Sequence, residues 1–257
     1  MTQTIPSTIN GFAFTMKGII TAEEYCLSSN RPLSYRDTRG VAIYATPSLL
    51  ESYKVSEDFY VNASREEFGR SQKFTRNIEI CLNSYRQADY KALRCHERSF
   101  FDVRYQSGEI GTLKIELMEV TPVRGDIESK KPVGVFTEIY KEIQLSAAGW
   151  LDEYMQFFGN DEALYMDILL KHLHLDHFFF TPPNYIEMKY LIVAAQTQSN
   201  PLIATKMKVQ KHNIDYYRSR VRLKLSDDHE VKDVINGINH FNESQLVFAQ
   251  PVITEAF

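Results

Sequence analysis

Two groups of residues in this chain have types and spacings that could do chemistry. The first is the run KHLHLDHFFF, in which His172, His174, Asp176 and His177 form the pattern HxHxDH. Imidazole and carboxylate ligands so closely spaced can hold metal ions, and a metal held in this way activates a water for hydrolysis. The second is the stretch from Thr181 to Leu225, where Lys189, Lys206, Lys208, Lys211, Arg218, Arg220, Arg222 and Lys224 stand against Glu187 and Asp215 alone. Eight cations less two acids give this stretch +6, so the remaining residues carry −10 in a chain of formal net charge −4. A positive focus on an otherwise acidic protein is the electrostatic footprint of a surface that meets phosphates.

The elements that must position the basic residues can be read from periodicity. Pro183 to Ala195 forms a helix with Ile186, Tyr190, Leu191 and Val193 toward the core. A second helix, PLIATKM, begins with Asn200 as N-cap and Pro201 as first helical residue, and Lys208-Val209-Gln210 is the turn after it. The third helix, Lys211 to Leu225, places Ile214, Tyr217, Val221 and Leu225 on one face and Asp215, Arg218, Ser219 and Arg222 on another. The second face is polar and basic, suited to a DNA major groove. A fourth helix starts near Asp227 and Glu230 and carries Val231, Val234, Ile235, Ile238 and Phe241 at helical spacing.

Four helices of these lengths, with Ser199-Asn200, Ile203-Ala204, Ile214, Arg218-Ser219-Arg220 and Lys224-Leu225 in register, resemble the LuxR-type (NarL/FixJ-type) helix-turn-helix DNA-binding domain. The chain departs from that pattern at Gln198, where the family has Gly, at Gln210 (a serine cap), at Tyr185 (an acidic residue) and at Tyr217 (often His). The resemblance implies double-stranded DNA as partner. Asp215, Tyr216 and Ser219 are then expected to read bases, with Arg218 and Arg222 reaching guanine. Lys208, Lys211, Arg220 and Lys224, with Ser199 and Asn200, are expected to hold phosphates. The stripe Val234, Ile235, Ile238 and Phe241 is wider than one small domain needs, and part of it is expected to meet a second subunit of a homodimer.

Ahead of this region the pattern changes. Residues 1 to 30 give no assignment beyond a short helix at ITAEEYCLSS. From Leu33, LSYRD, the turn Thr38-Arg39-Gly40 and VAIYA read as a hairpin, with Val41, Ile43 and Ala45 alternating. Pro47 opens a short helix, and Ser64 with Glu67 forms a capping box for another that Gly69 closes. Gln72 to Leu93 has helical spacing, and ERSFFDVRY, GTLKIELMEV and PVGVFTEIY read as strands, with Leu113, Ile115 and Leu117 on one face of the second. This order resembles the PAS sensor domain from about Leu33 to Ile143, through Arg36-Asp37 then Gly40, Tyr44-Ala45-Thr46-Pro47 where the family tends to show Tyr-Ala-Asn-Pro, Glu66 to Gly69, and Pro132-Val133-Gly134-Val135. The resemblance implies a pocket between sheet and helices for a small ligand, or a dimerisation surface.

No cofactor is identifiable. Cys81 in IEICLNSY and Cys95 in LRCHERS lack the Asn-Cys-Arg setting of a photoactive flavin domain, and His96 at a strand entrance is not placed as a haem ligand. Three cysteines at wide spacing, with Cys26, make neither a disulfide framework nor a metal pair. Trp150, Leu151, Tyr154, Phe157 and Phe158, then Leu164 to Leu173, suggest two connecting helices broken at Gly159-Asn160. The HxHxDH run inside this connector resembles the metallo-β-lactamase hydrolase family, but Phe178-Phe179-Phe180 replace the glycine-containing turn and the chain beyond reads as helices.

The expected fold is α+β: a PAS-like antiparallel sheet with helices, then an all-α four-helix helix-turn-helix domain. The expected domains are 1–143 (PAS-like, core 33–143), a helical connector 144–180, and the DNA-binding domain 181–257. The expected function is a cytoplasmic, sequence-specific transcriptional regulator, not an enzyme, with no metal site, no membrane contact and a possible unknown ligand in the PAS-like domain. Three alternatives stay open: a metal-dependent hydrolase built on residues 172–177, a protein-interaction module with a decayed DNA-binding domain, and a quorum-sensing regulator of the acyl-homoserine-lactone type, whose sensor resembles a pattern with several tryptophans where this chain has Trp150 alone.

Overall fold

The computed structural model describes residues 7–9, 12–15, 18–19, 22–71, 78–107, 110–124 and 131–248. The chain divides into two compact units, residues 1–106 with 114–143, and 107–113 with 144–257. Unit 1 opens with three short antiparallel strands, β1 (Ser7–Ile9), β2 (Phe12–Thr15) and β3 (Gly18–Ile19), and a helix α1 (Ala22–Ser28). Then follow β4 (Leu33–Asp37), β5 (Ala42–Ala45), α2 (Pro47–Tyr53), α3 (Glu57–Tyr60), α4 (Arg65–Ser71) and α5 (Ile78–Tyr90), which runs on as a π turn to Cys95. Strands β6 (Ser99–Ser107), β7 (Thr112–Arg124) and β8 (Pro132–Glu142) complete a five-stranded sheet of order β5-β4-β8-β7-β6. The α+β class with a PAS-like antiparallel sheet is therefore present. Of the helix expected over Gln72 to Leu93, residues 72–77 lie outside the described residues.

Local chemistry explains the turns. The Asp37 carboxylate accepts from the backbone N–H groups of Arg39 (2.9 Å) and Val41 (3.0 Å), and Gly40 supplies φ +80° for the β4–β5 turn. Thr46, the departure from the family's Asn, still caps α2: its Oγ1 accepts from the Leu49 N–H at 3.4 Å, and from the Leu33 N–H at 2.9 Å. The Ser64/Glu67 capping box forms in both directions (3.1 and 2.8 Å).

Two details differ from what the sequence pattern predicts. A bulge between Tyr35 and Arg36 shifts the hairpin register, so Ala42 is buried rather than Val41 and Ile43. A second bulge, with Tyr140 of β8 unpaired opposite Leu117 and Met118, leaves the alternation of β7 intact, with Leu113 and Ile115 buried and Leu117 half-buried on the same face. Gly69 does not end its helix, which continues to Ser71.

Unit 2 is helical: α6 (Ala147–Phe158), α7 (Glu162–His172), a 3-10 turn (Asp176–Phe178), α8 (Tyr185–Gln196), α9 (Asn200–Met207), α10 (His212–Arg222) and α11 (Val231–Phe248). Helix α8 is the hub, touching α6, α9, α10 and α11. It is apolar on nearly every side because every side is covered: Met188 and Tyr190 through Ala194 are all buried. The two connector helices meet at Gly159, whose φ of +63° suits glycine, as the sequence break implied.

At Gly134 a Cβ would overlap the Arg36 carbonyl oxygen and come within 2.5 Å of the Tyr35 ring. Gly134→Ala is expected to destabilise unit 1 by about 1–3 kcal/mol through overpacking between β4 and β8, measured as a lower urea midpoint at unchanged slope.

Candidate nucleic-acid interface

The basic region is built on the contact of α8 with α10. Asn184 caps α8 and Glu187 completes a reciprocal capping box (2.9 Å each way), which brings the Glu187 carboxylate to the start of the helix. There it is 1% exposed and receives Lys224 Nζ at 2.7 Å and Arg220 Nε at 3.2 Å. Burial alone would raise its pKa; the hydrogen bonds from Lys224, the Asn184 backbone and Arg220 overcome that and hold the carboxyl below its usual range. Lys224 also donates to the Pro182 carbonyl at 3.1 Å. A short antiparallel bridge, Phe179 to Leu225, ties the chain before α8 to the chain after α10.

Arg218 turns inward in the same way. Its Nε donates to the Tyr190 hydroxyl and its Nη2 to Asn200 Oδ1, both at 3.2 Å, so one guanidinium joins α8, α9 and α10. This also accounts for a shifted cap. Ser199, not Asn200, is the N-cap of α9, and it makes no side-chain capping bond, while the Asn200 oxygen is taken by Arg218. Ser219 donates its hydroxyl to the Asp215 carbonyl one turn back at 2.9 Å. The turn between α9 and α10 is made by Lys208 at φ +57°, whose N–H and that of Val209 close on Thr205 and Ala204.

What remains toward solvent is a continuous face. Asp215, Tyr216, Ser219 and Arg222 are exposed along α10, with Lys208 and Lys211 exposed at its entrance. The opposite face is buried through Ile214 and Val221. Lys208, Lys211 and Arg222 have no ion-pair partner among the described residues. The sequence grouped Arg218, Arg220 and Lys224 with the outward cations; the structure gives each of them a protein partner. The missed residues are their partners, Glu187 and Tyr190. Asn184-x-x-Glu187 was a legible capping signal for the first.

The expected dimer stripe of α11 is in large part covered within the chain. Val234 and Ile238 are fully buried and Phe241 is 7% exposed inside the chain, leaving Ile235 half-buried. The apparent excess width is used by α8, α6 and α10 together. Gly237 belongs to this packing, since a Cβ there would be 2.7 Å from Leu175 and 3.1 Å from Phe178.

The HxHxDH residues do not converge. His172 ends α7 with Nδ1 2.8 Å from the Tyr154 hydroxyl and its ring 4.4 Å from Trp150. His174 occupies a left-handed turn position (φ +58°), while Asp176 and His177 lie in the 3-10 turn with the His177 ring 3.9 Å from Phe178. Among the described residues no three His, Cys, Asp or Glu side chains gather as a metal set, and no helix is long and apolar enough to cross a membrane.

No family model and no curated protein matches the chain. Solved structures similar to it include a Vibrio cholerae VqmA–ligand–DNA complex, at 14% identity over 88% of this chain and 89% of that one with a TM-score of 0.41. A phage VqmA–DPO complex is 12% identical over 88% and 87%, TM-score 0.37. The PAS domain of Bordetella pertussis BvgS is 13% identical over 52% and 90%, TM-score 0.39.

Two outcomes test this geometry. Glu187→Gln keeps the helix cap but strips the buried charge from Arg220 and Lys224, and is expected to cost about 3 kcal/mol at neutral pH. Because the folded pKa of Glu187 is depressed, its contribution is full above the ordinary value of 4.5 and is lost as pH falls through the folded value. Urea unfolding of the two proteins should therefore converge in acid. Val234→Glu should unfold unit 2, by at least about 3 kcal/mol, whereas Ile235→Glu should leave its melting temperature nearly unchanged.

Proposed function

We propose that the chain is a sequence-specific DNA-binding transcriptional regulator that acts in the cytoplasm as a homodimer. In this reading unit 1 is the sensory or dimerising part, and α10 is the second helix of a helix-turn-helix that lies in the major groove. The observation that supports it is the α10 surface: a braced helix whose outward face combines Tyr216, Ser219 and Arg222 with exposed Lys208 and Lys211 at its start. Short polar groups flanked by long cations on a rigid helix can contact base edges and phosphates at once.

The roles follow from the contacts. Arg222 and Tyr216, with Asp215, face the bases. Ser219 joins them as an acceptor, because its proton is committed to the Asp215 carbonyl. A lone pair without a donor favours the exocyclic amines of adenine or cytosine over guanine O6 and N7. Lys208, Lys211 and the exposed Ser199 meet phosphates. Arg218 acts as the brace between helices rather than as a base reader, with Asn200 as its acceptor. Arg220 and Lys224 contribute mainly through Glu187. Since Val234 and Ile238 are consumed by the chain's own core, Ile235 is the part of the stripe left to meet a second subunit.

Electrophoretic mobility shifts at varied salt test this. Lys211→Ala should weaken binding to all duplexes alike and lower the salt slope by about one. Arg222→Ala should cost about 1–3 kcal/mol on the preferred site and relax its sequence preference. Absence of any duplex affinity at low salt overturns the reading and makes the Tyr216/Leu223 face, where both side chains are exposed, a protein contact instead.

A further inference from the structure

Tyr216, Ser219 and Leu223 follow one another along α10 at spacings of three and four, so they share one face of the helix. That face lies opposite the buried Ile214 and Val221. Two of its three side chains are large and apolar, and both are open to solvent: Tyr216 is 60% exposed and Leu223 72%. A single exposed leucine is ordinary on any protein surface. Here two apolar groups stand in register, seven residues apart, with a hydroxyl between them.

Both are held in place. Leu223 caps the C-terminus of α10 with helical angles (φ −68°, ψ −6°), and its N–H returns to the Ser219 carbonyl at 3.2 Å. The next two residues are tied down, Lys224 by Glu187 and Leu225 by the bridge to Phe179, so the leucine does not sit on a loose chain end. The Tyr216 ring lies 5.8 Å from that of Tyr217 in edge contact, and Tyr217 in turn 6.5 Å from Tyr190 of α8. Side chains already fixed in this way lose little freedom when something covers them. What covers them must also suit the exposed cations beside them, Arg222 on the same helix and Lys208 and Lys211 at its entrance. A polyanion that carries apolar groups meets both conditions.

We infer that Leu223 is a specificity-determining residue that reads the 5-methyl group of a thymine in the major groove, with the Tyr216 ring covering a second. The inference deepens the DNA-binding role proposed above and rests on it. Thymine is the one base with an apolar group on its major-groove edge. Cytosine, the other pyrimidine, presents an amine there, which a leucine cannot accept from. Spacing narrows the site further. Seven residues at 1.5 Å each set the two side chains about 10 Å apart along the helix, which is about three base-pair steps of 3.4 Å. Ser219 lies between them, and with its proton given to the Asp215 carbonyl it offers an acceptor to an adenine or cytosine amine. The preferred site then carries two thymines about three steps apart, with an exocyclic amine between.

Duplexes selected by the full chain from a random pool supply the probe. Each thymine of the selected site is then replaced in turn by deoxyuridine, which lacks the 5-methyl group and nothing else. Mobility shifts should find two positions where this weakens binding, by about fourfold each. Leu223→Ala should bind the thymine and uracil forms of one position equally and keep the response at the other; Tyr216→Ala should do the reverse. The uracil series on the unaltered chain needs no variant, so the test stands whether or not either substitution disturbs α10. Selected sites without thymine, sites indifferent to uracil at every thymine, or an undiminished uracil response in Leu223→Ala overturn the inference, leave the regulator reading intact and make Leu223 a protein-contact residue. Failure to select any duplex at low salt overturns both, so the two failures are told apart.

Discussion

The buried carboxylate of Glu187 is the interaction on which unit 2 depends. It sits in the first turn of the one helix that is covered on nearly every side, and it is satisfied there by a capping N–H, a lysine and an arginine. A buried charge of this kind is tolerated only when its partners are fixed. The requirement runs both ways: α10 must approach at the angle that brings Arg220 and Lys224 to it. Arg218 repeats the device on the next turn through Tyr190 and Asn200. The orientation of the basic helix is thus set by ion pairs and hydrogen bonds of defined direction, where apolar packing through Ile214 and Val221 alone would leave it free to slide.

Element existence was legible because periodicity reports burial. Helices α6 to α11 and strands β6 to β8 fall within a few residues of where apolar spacing and turn residues put them. Register was less so. An unpaired Ile43 opposite Tyr35 and Arg36 shifts which β5 side chains face inward, another unpaired residue, Tyr140, interrupts β8 opposite Leu117 and Met118, and no residue type announces a bulge. In the basic region, charge alone could not separate outward cations from tethered ones. Lys211 and Lys224 look alike in sequence, and only the position of a buried acid 37 residues before Lys224 distinguishes them. Likewise, a wide apolar stripe on α11 reads the same whether its second flank meets another subunit or the chain's own α6.

Unit 1 solves a different problem. The walls of the cavity between its sheet and helices are aromatic, with Tyr53 stacked on Tyr60 and in edge or tilted contact with Phe68 and Tyr105, and burial pushes the phenols of Tyr53, Tyr85 and Tyr105 well above their usual range. They remain neutral donors at any physiological pH. Polar atoms can therefore line this space without adding charge to it.

The strand order carries a consequence for how the chain acquires its shape. The last strand, β8, is the middle of the sheet, paired on one side with β4, the first of the five, and on the other with β7. Leu33 meets Glu138 across more than a hundred residues of intervening chain. On the ribosome, β4 with β5 and β6 with β7 can exist only as separate hairpins until Glu142 has emerged, and isolated hairpins are marginal in water. The rate-limiting event for unit 1 is then a long-range closure, slow by its contact order, with two open sheet edges waiting on a single late strand to join them.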